Sequence, residues 1–154
     1  MNASHFSNDI NEFLFLLDQN DVHYVIVGGE AVIYYGHVRL TGDIDIFYNN
    51  TPSNTEKLFK VLLEFWDNDI PGIQSQSELR EKGTIIQFGV PPNRIDLLNE
   101  ITAVSFDEAW EEKVSEKVYY KNETFTVYYI GKEDLKKNKM ATGRPKDQDD
   151  VNSL

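Results

Sequence analysis

Three aspartates stand where a folded chain rarely places them without a reason. Asp43 and Asp45 open the run Asp43-Ile-Asp-Ile-Phe-Tyr48, and Asp96 sits inside Arg94-Ile-Asp-Leu-Leu98. Side chains two apart share one face of a strand, so Asp43 and Asp45 point one way, roughly 7 Å apart, while Ile44 and Ile46 point the other. Such a pair can chelate a divalent cation. Without one the two charges repel by about 2 kcal/mol at an effective dielectric of about 20, unless the pair merely decorates a solvated sheet face. Asp96 lies mid-strand among apolar neighbours, where Asp is disfavoured; it is a third ligand, an edge charge, or a partner of Arg94. Donors that are all oxygen suit Mg²⁺ or Mn²⁺ better than Zn²⁺. The chain has no cysteine, which excludes disulfides, thiolate metal sites and cysteine nucleophiles.

These side chains need strands beneath them and a turn beside them. His23-Tyr-Val-Ile-Val27 is an apolar run that stops at Gly28-Gly29, followed by a breaker-free segment from Glu30 to Tyr35. This reads as a buried strand turning into a short helix. Two glycines there let a ligand approach the backbone, and the helix start offers free N–H groups; a tight turn with no ligand is the alternative. Apolar spacing predicts a first helix over 6–18, with Ser7 or Asn8 as cap. The box Ser53-Asn-Thr-Glu56 opens a second long helix running to Trp66. Strands are expected over 43–48, 84–90 and 94–98, the last two joined as a hairpin by Pro91-Pro-Asn93. A short helix over 107–113 precedes a hairpin made of 118–120 and 125–130. A helix over 132–142 ends at Gly143, and Pro145 starts the last one. The expected fold is one α/β domain spanning 1–154, a mixed β-sheet flanked by helices (α+β in the broader sense).

The 154 residues carry 15 Lys+Arg against 26 Asp+Glu, a formal charge of −11. Such a surface repels nucleic-acid phosphates, so non-specific DNA binding is not expected. One stretch runs the other way: Lys132, Lys136, Lys137, Lys139, Arg144 and Lys146 face only Glu133, Asp134 and Asp147. No apolar run approaches the ~18 residues of a membrane span, and the first residues lack a secretory pattern. A cytoplasmic location with no membrane partner is the expectation.

Gly28-Gly-Glu-Ala31, then Gly36, Arg39, Thr41 and Asp43-Ile-Asp-Ile46, resembles the signature of the nucleotidyltransferase superfamily that includes DNA polymerase beta. That signature is a glycine pair, a spacer of about a dozen residues, and an acidic-x-acidic pair; here thirteen residues separate Gly29 from Asp43. The segment Asn138-Lys-Met-Ala-Thr-Gly-Arg-Pro-Lys-Asp147, then Asp150-Val151, resembles the ending of small stand-alone prokaryotic nucleotidyltransferases of the abortive-infection and toxin–antitoxin kind. The resemblance implies transfer of a nucleoside monophosphate from an NTP, ATP first, to a hydroxyl of a protein, an RNA or a small molecule. Asp43, Asp45 and Asp96 would be the catalytic and metal-binding residues, with Mg²⁺ or Mn²⁺ as cofactor. Gly28 and Gly29 would meet the phosphates, and Arg39, Thr41, Lys139 and Arg144 would complete the nucleotide site. Gly29 stands where many relatives carry Ser, which removes one hydroxyl contact. Acceptor recognition would fall to a partner chain or a homodimer groove, with a helical partner protein or a tRNA acceptor as the expected partners.

Two other readings keep the same fold: an antitoxin-like module that covers a partner protein, and a catalytically silent nucleotide sensor. Asp67 to Glu78 partly imitates a calcium loop, but Pro71 occupies a ligand position. Tyr119, Tyr120, Tyr128 and Tyr129 are expected to serve strand pairing and the core. Asp147 and Asp150, three apart on the final helix, are expected to pair with Arg144 or Lys146.

Overall fold

The computed structural model describes the backbone of residues 2–3 and all of residues 5–37 and 43–154. In chain order the elements are β1 (Asn2–Ala3), α1 (Asn8–Gln19), β2 (Tyr24–Val27), α2 (Gly28–Tyr34), β3 (Asp43–Tyr48), α3 (Pro52–Phe65), α4 (Ser77–Arg80), β4 (Ile85–Phe88), β5 (Arg94–Leu98), α5 (Phe106–Glu111), β6 (Val114–Tyr120), β7 (Glu123–Tyr129), α6 (Lys132–Thr142) and α7 (Pro145–Ser153). The strands form one mixed sheet in the order β1-β6-β7-β2-β3-β5-β4. This is an α/β fold, as the alternation of strand and helix patterns implies.

The register of the central strands positions the chemistry. β3 runs parallel to β5 with Asp43 opposite Arg94 and Asp45 opposite Asp96. β4 runs antiparallel to β5 and sets Gln87 opposite Asp96. Alternation therefore puts Asp43, Asp45, Asp96 and Gln87 on one face. Ile44 and Ile46 of β3, Ile95 and Leu97 of β5, and Phe88 of β4 occupy the other and are buried. On that second face Trp66, the residue capping α3, rests on Phe88 with ring centroids 5.3 Å apart. α1 packs against α3 through Phe13 and Phe65 and against β7 through Phe15 and Phe125. Buried Asn54 of α3 ties two strands together: its Oδ1 accepts from the His23 N–H at 2.7 Å, and its Nδ2 donates to the carbonyls of His23 and Asn49.

Local differences from the sequence reading have local causes. Ser53 does not cap α3. Thr51 does, accepting from the Asn54 N–H, because Pro52 takes the first helical position, where its missing N–H is no loss. The last hairpin is tighter than expected: β6 starts at Val114, and the turn is Lys121-Asn122 alone, both with positive φ (48° and 65°). A two-residue turn of that kind matches the twist of the strands it joins. Ser105 and Glu108 make a full capping box that starts α5. The short α4, unforeseen, buries Leu79, whose carbonyl accepts from the Tyr48 hydroxyl at 2.7 Å. No helix among the described residues is long and apolar enough to cross a membrane.

Candidate active site

The carboxylates of Asp43, Asp45 and Asp96 converge: each offers an oxygen within 4.8 Å of the others. Two neighbouring parallel strands achieve this because Asp45 and Asp96 are register partners. Arg94, two residues before Asp96 on the same face, turns its guanidinium onto the cluster. It donates to Asp43 Oδ2 at 2.6 Å and to Asp96 Oδ1 and Oδ2 at 3.0 and 3.2 Å. Two of the three sequence alternatives for Asp96 are thus compatible, since it pairs with Arg94 and also faces the other acids. Gln87 Nε2 lies 3.5 Å from Asp96 Oδ2, at the limit of a hydrogen bond.

One guanidinium does not offset three carboxylates. Burial, and then the adjacent charges of Asp43 and Asp96, push the Asp45 carboxyl up to about 7. Burial also raises Asp96, and the donors of Arg94 oppose that rise. Burial and crowding thus favour the protonated forms of Asp45 and Asp96. The donor set, three carboxylates and no nitrogen or sulfur, fits a hard divalent ion.

Gly28 explains the glycine turn in a way the sequence did not disclose. Its φ is +66°, in the left-handed region. A Cβ built on it would overlap Asp45 Oδ2, so the carboxylate lies directly against the Gly28 backbone. α2, which follows, is locked in place by its own tyrosines. Tyr34 stacks on Tyr129 with centroids 4.0 Å apart, and the Tyr35 hydroxyl donates to the Ile130 carbonyl at 2.7 Å. We expect Gly28→Ala to lower divalent-metal affinity by at least about tenfold by displacing Asp45, and to cost about 1–3 kcal/mol of stability through the positive φ. Titration calorimetry and thermal melting of the variant check both effects.

A cavity of about 550 Å³ opens over this face, lined by Gly28, Gly29 and the acids, and on its other side by Asn138, Lys139, Arg144 and Lys146. A second cavity of about 610 Å³, around Asn49, Asn99 and Phe106, shares Glu100, Ile101 and Thr102 with the first. Asn138 ties α6 to this shared rim by donating to the Thr102 carbonyl at 2.9 Å.

Lys139 and Arg144 line the cavity, yet their charged ends are already engaged. Lys139 Nζ lies 3.2 Å from both Asp147 Oδ1 and Asp150 Oδ2, and all three side chains are buried. Arg144 Nε donates to Asp147 Oδ2 at 2.7 Å, and the Thr142 hydroxyl donates to the same oxygen at 2.5 Å. Although burial works the other way, these donors hold the Asp147 carboxyl far below the usual range. Asp147 pairs with Arg144 as its spacing implies. The deeper partner of both α7 aspartates is Lys139, contributed by α6. Lys146, which lines the same cavity, is exposed and makes no ion pair with a described residue; the sequence hint was its place in the basic stretch. His37 Nε2 reaches Asp149 and Asp150 at 3.4 and 3.6 Å. Arg39 and Thr41 lie outside the described residues.

No curated protein matches the chain. A family model does, over residues 5–154: DUF6036, described as a nucleotidyltransferase of unknown function. The match takes in the Gly28 turn, the three carboxylates of β3 and β5, and the α6–α7 pair. This chain belongs to that nucleotidyltransferase family.

Proposed function

We propose that the chain transfers a nucleoside monophosphate from an NTP, ATP first, to an acceptor hydroxyl. The observation that carries the reading is the convergence of Asp43, Asp45 and Asp96 within 4.8 Å beside a glycine that admits Asp45. The acceptor oxygen attacks the α-phosphorus, the bond from that phosphorus to the bridging oxygen breaks, and pyrophosphate leaves. The acceptor's proton passes to a carboxylate, and Asp96, which lines the cavity, is the residue assigned to take it. The three aspartates would hold Mg²⁺ or Mn²⁺, which would supply charge neutralisation for the phosphates. Arg94 orients Asp43 and Asp96 by its paired bonds. Lys146 is the cation placed to meet a phosphate, and the Gly28-Gly29 backbone lies at the cavity wall. Phosphoryl-type transfer asks for positioning and neutralisation more than for a protein nucleophile.

The test is release of pyrophosphate from each of the four NTPs with Mn²⁺, supplied with protein, RNA and aminoglycoside acceptors. Transfer of the α-phosphate label supports the reading; binding without transfer in every case contradicts it and leaves a sensor. The acid cluster adds a pH dependence. Mn²⁺ binds the deprotonated form, so with Asp45 titrating at about 7 the ion must displace its proton below that pH. Apparent affinity should fall about tenfold per unit below pH 7 and level off above it. A flat profile between pH 5.5 and 8.5 removes Asp45 from the ligand set.

A further inference from the structure

We infer that the exposed edge strand β4 is a docking strip for an extended, neutral or cationic segment of a partner protein, which it delivers to the rim of the cavity that holds Asp96. The inference rests on the transfer reading for why the strip matters, but not for whether it binds.

Among the described residues β4 pairs only with β5 and is the outermost strand on its side of the sheet. Outer strands present unpaired N–H and C=O groups, and proteins usually blunt them with charges, prolines or a cover. The other side is managed that way: β6 carries Glu116 and Lys117 and is partly covered by β1. β4 is not. From Thr84 to Val90 no residue is charged and none is proline. The large hydrophobic residues exposed there, Ile85 (66%) and Val90 (74%), are two of the four such residues on the described surface.

The strip is aligned with the chemistry. Ile85 and Gln87 lie on the carboxylate face, opposite Leu98 and Asp96 respectively. Ile85, Leu98 and Ile101 form an apolar border to the cavity that holds the acids. A strand added outside β4 would stand about 10 Å, two strand spacings, from β5. Main-chain bonds would hold it, and alternate side chains would face the cavity.

Charge selects the occupant. Residues 78–100 hold Glu78, Glu81, Asp96 and Glu100 against Arg80, Lys82 and Arg94. Arg94 is spent on Asp43 and Asp96, and Lys82 sits 3.4 Å from Glu100. That leaves Arg80 as the one cation of this stretch without an ion pair among the described residues. A polyanion such as tRNA needs several free cations along its path and would meet acids here. A neutral or lysine-bearing peptide strand would not be repelled.

The test uses the full chain and a seven-residue peptide of alternating Val and Thr with a Lys at each end. Hydrogen exchange is read at the amides of residues 84–90. The expected result is at least threefold slower exchange there at saturating peptide. Glu-ended peptide or total yeast tRNA should give no such protection, and Ile85→Lys, an exposed position that need not disturb folding, should abolish it. Asp45→Asn should retain the protection while losing transfer, so a failure of docking and a failure of catalysis are told apart. Equal protection by tRNA, no protection by the Lys peptide, or protection unchanged in Ile85→Lys would overturn the proposal. So would slowing that depends on protein concentration without peptide, which would assign the edge to a second copy of this chain.

Discussion

Asp45→Asn should reduce pyrophosphate release by about 10³-fold or more, because loss of one ligand from a three-carboxylate centre removes on the order of 4 kcal/mol of charge stabilisation from the transition state. The same substitution should make the metal-free protein more stable, which a purely structural aspartate would not do. In the folded chain the Asp45 carboxyl is raised from 3.8 to about 7. The folded state therefore binds its proton more tightly than the unfolded state does. The favourable contribution is fully present below pH 4 and is lost as pH rises through 7, so at pH 8 the ionised, crowded carboxylate burdens the fold by on the order of a few kcal/mol. Asn keeps the size and discards the charge. Thermal melts in chelator should show the variant gaining several degrees over the parent at pH 8 and little at pH 5. A melting temperature that falls at both pH values would mean that Asp45 is held by favourable partners and is not poised for a cation.

The second large effect belongs to Lys139. Lys139→Met leaves Asp147 and Asp150 buried without the ammonium they share at 3.2 Å. Removing one partner of a buried ion cluster costs about 3–5 kcal/mol, which at this chain length lowers the melting temperature by roughly 10 °C. Adding Asp147→Asn and Asp150→Asn to the Met variant should restore most of the loss, since the uncompensated charges are gone. The sign with pH follows from Asp147, whose carboxyl is held well below its unfolded range. Its contribution is present at neutral pH and disappears as the solution is acidified below about 4. The opposite pattern, a normal melt with a raised KM for NTP, would make Lys139 a phosphate ligand and not the pin between α6 and α7.

The shared face of Asp43 and Asp45 was legible from their spacing because strands enforce it. Asp43-Ile-Asp45 can have only one side in common, and β3 was bounded correctly at both ends. The helix α6 and its Gly143 terminus were equally plain, since an αL cap marks the end of a helix whatever packs against it. What the sequence withheld were facts of tertiary pairing. Nothing local says that β5 lies beside β3 in a register that matches Asp45 with Asp96, or that Arg94 reaches across to Asp43. The role of Gly28 looked like ligand access and proves to include room for Asp45 itself, a contact between residues seventeen apart. Lys139 was expected to complete the nucleotide site, and nothing local said that the return of α7 would bury its ammonium against Asp147 and Asp150. Asn54, a polar residue within an apolar helix face, gave no sign that it would tie β2 to the end of β3.

The most direct measurement is a Mn²⁺ titration followed by electron paramagnetic resonance, on the parent chain and on Asp43→Asn, Asp45→Asn, Asp96→Asn and Asp149→Asn, at pH 8. Saturable loss of the free Mn²⁺ signal is expected in the parent, weakened at least about tenfold in each of the first three variants and unchanged in Asp149→Asn. Binding that survives all three of the strand substitutions, or that is lost with Asp149 instead, would contradict a cation centre shared by β3 and β5.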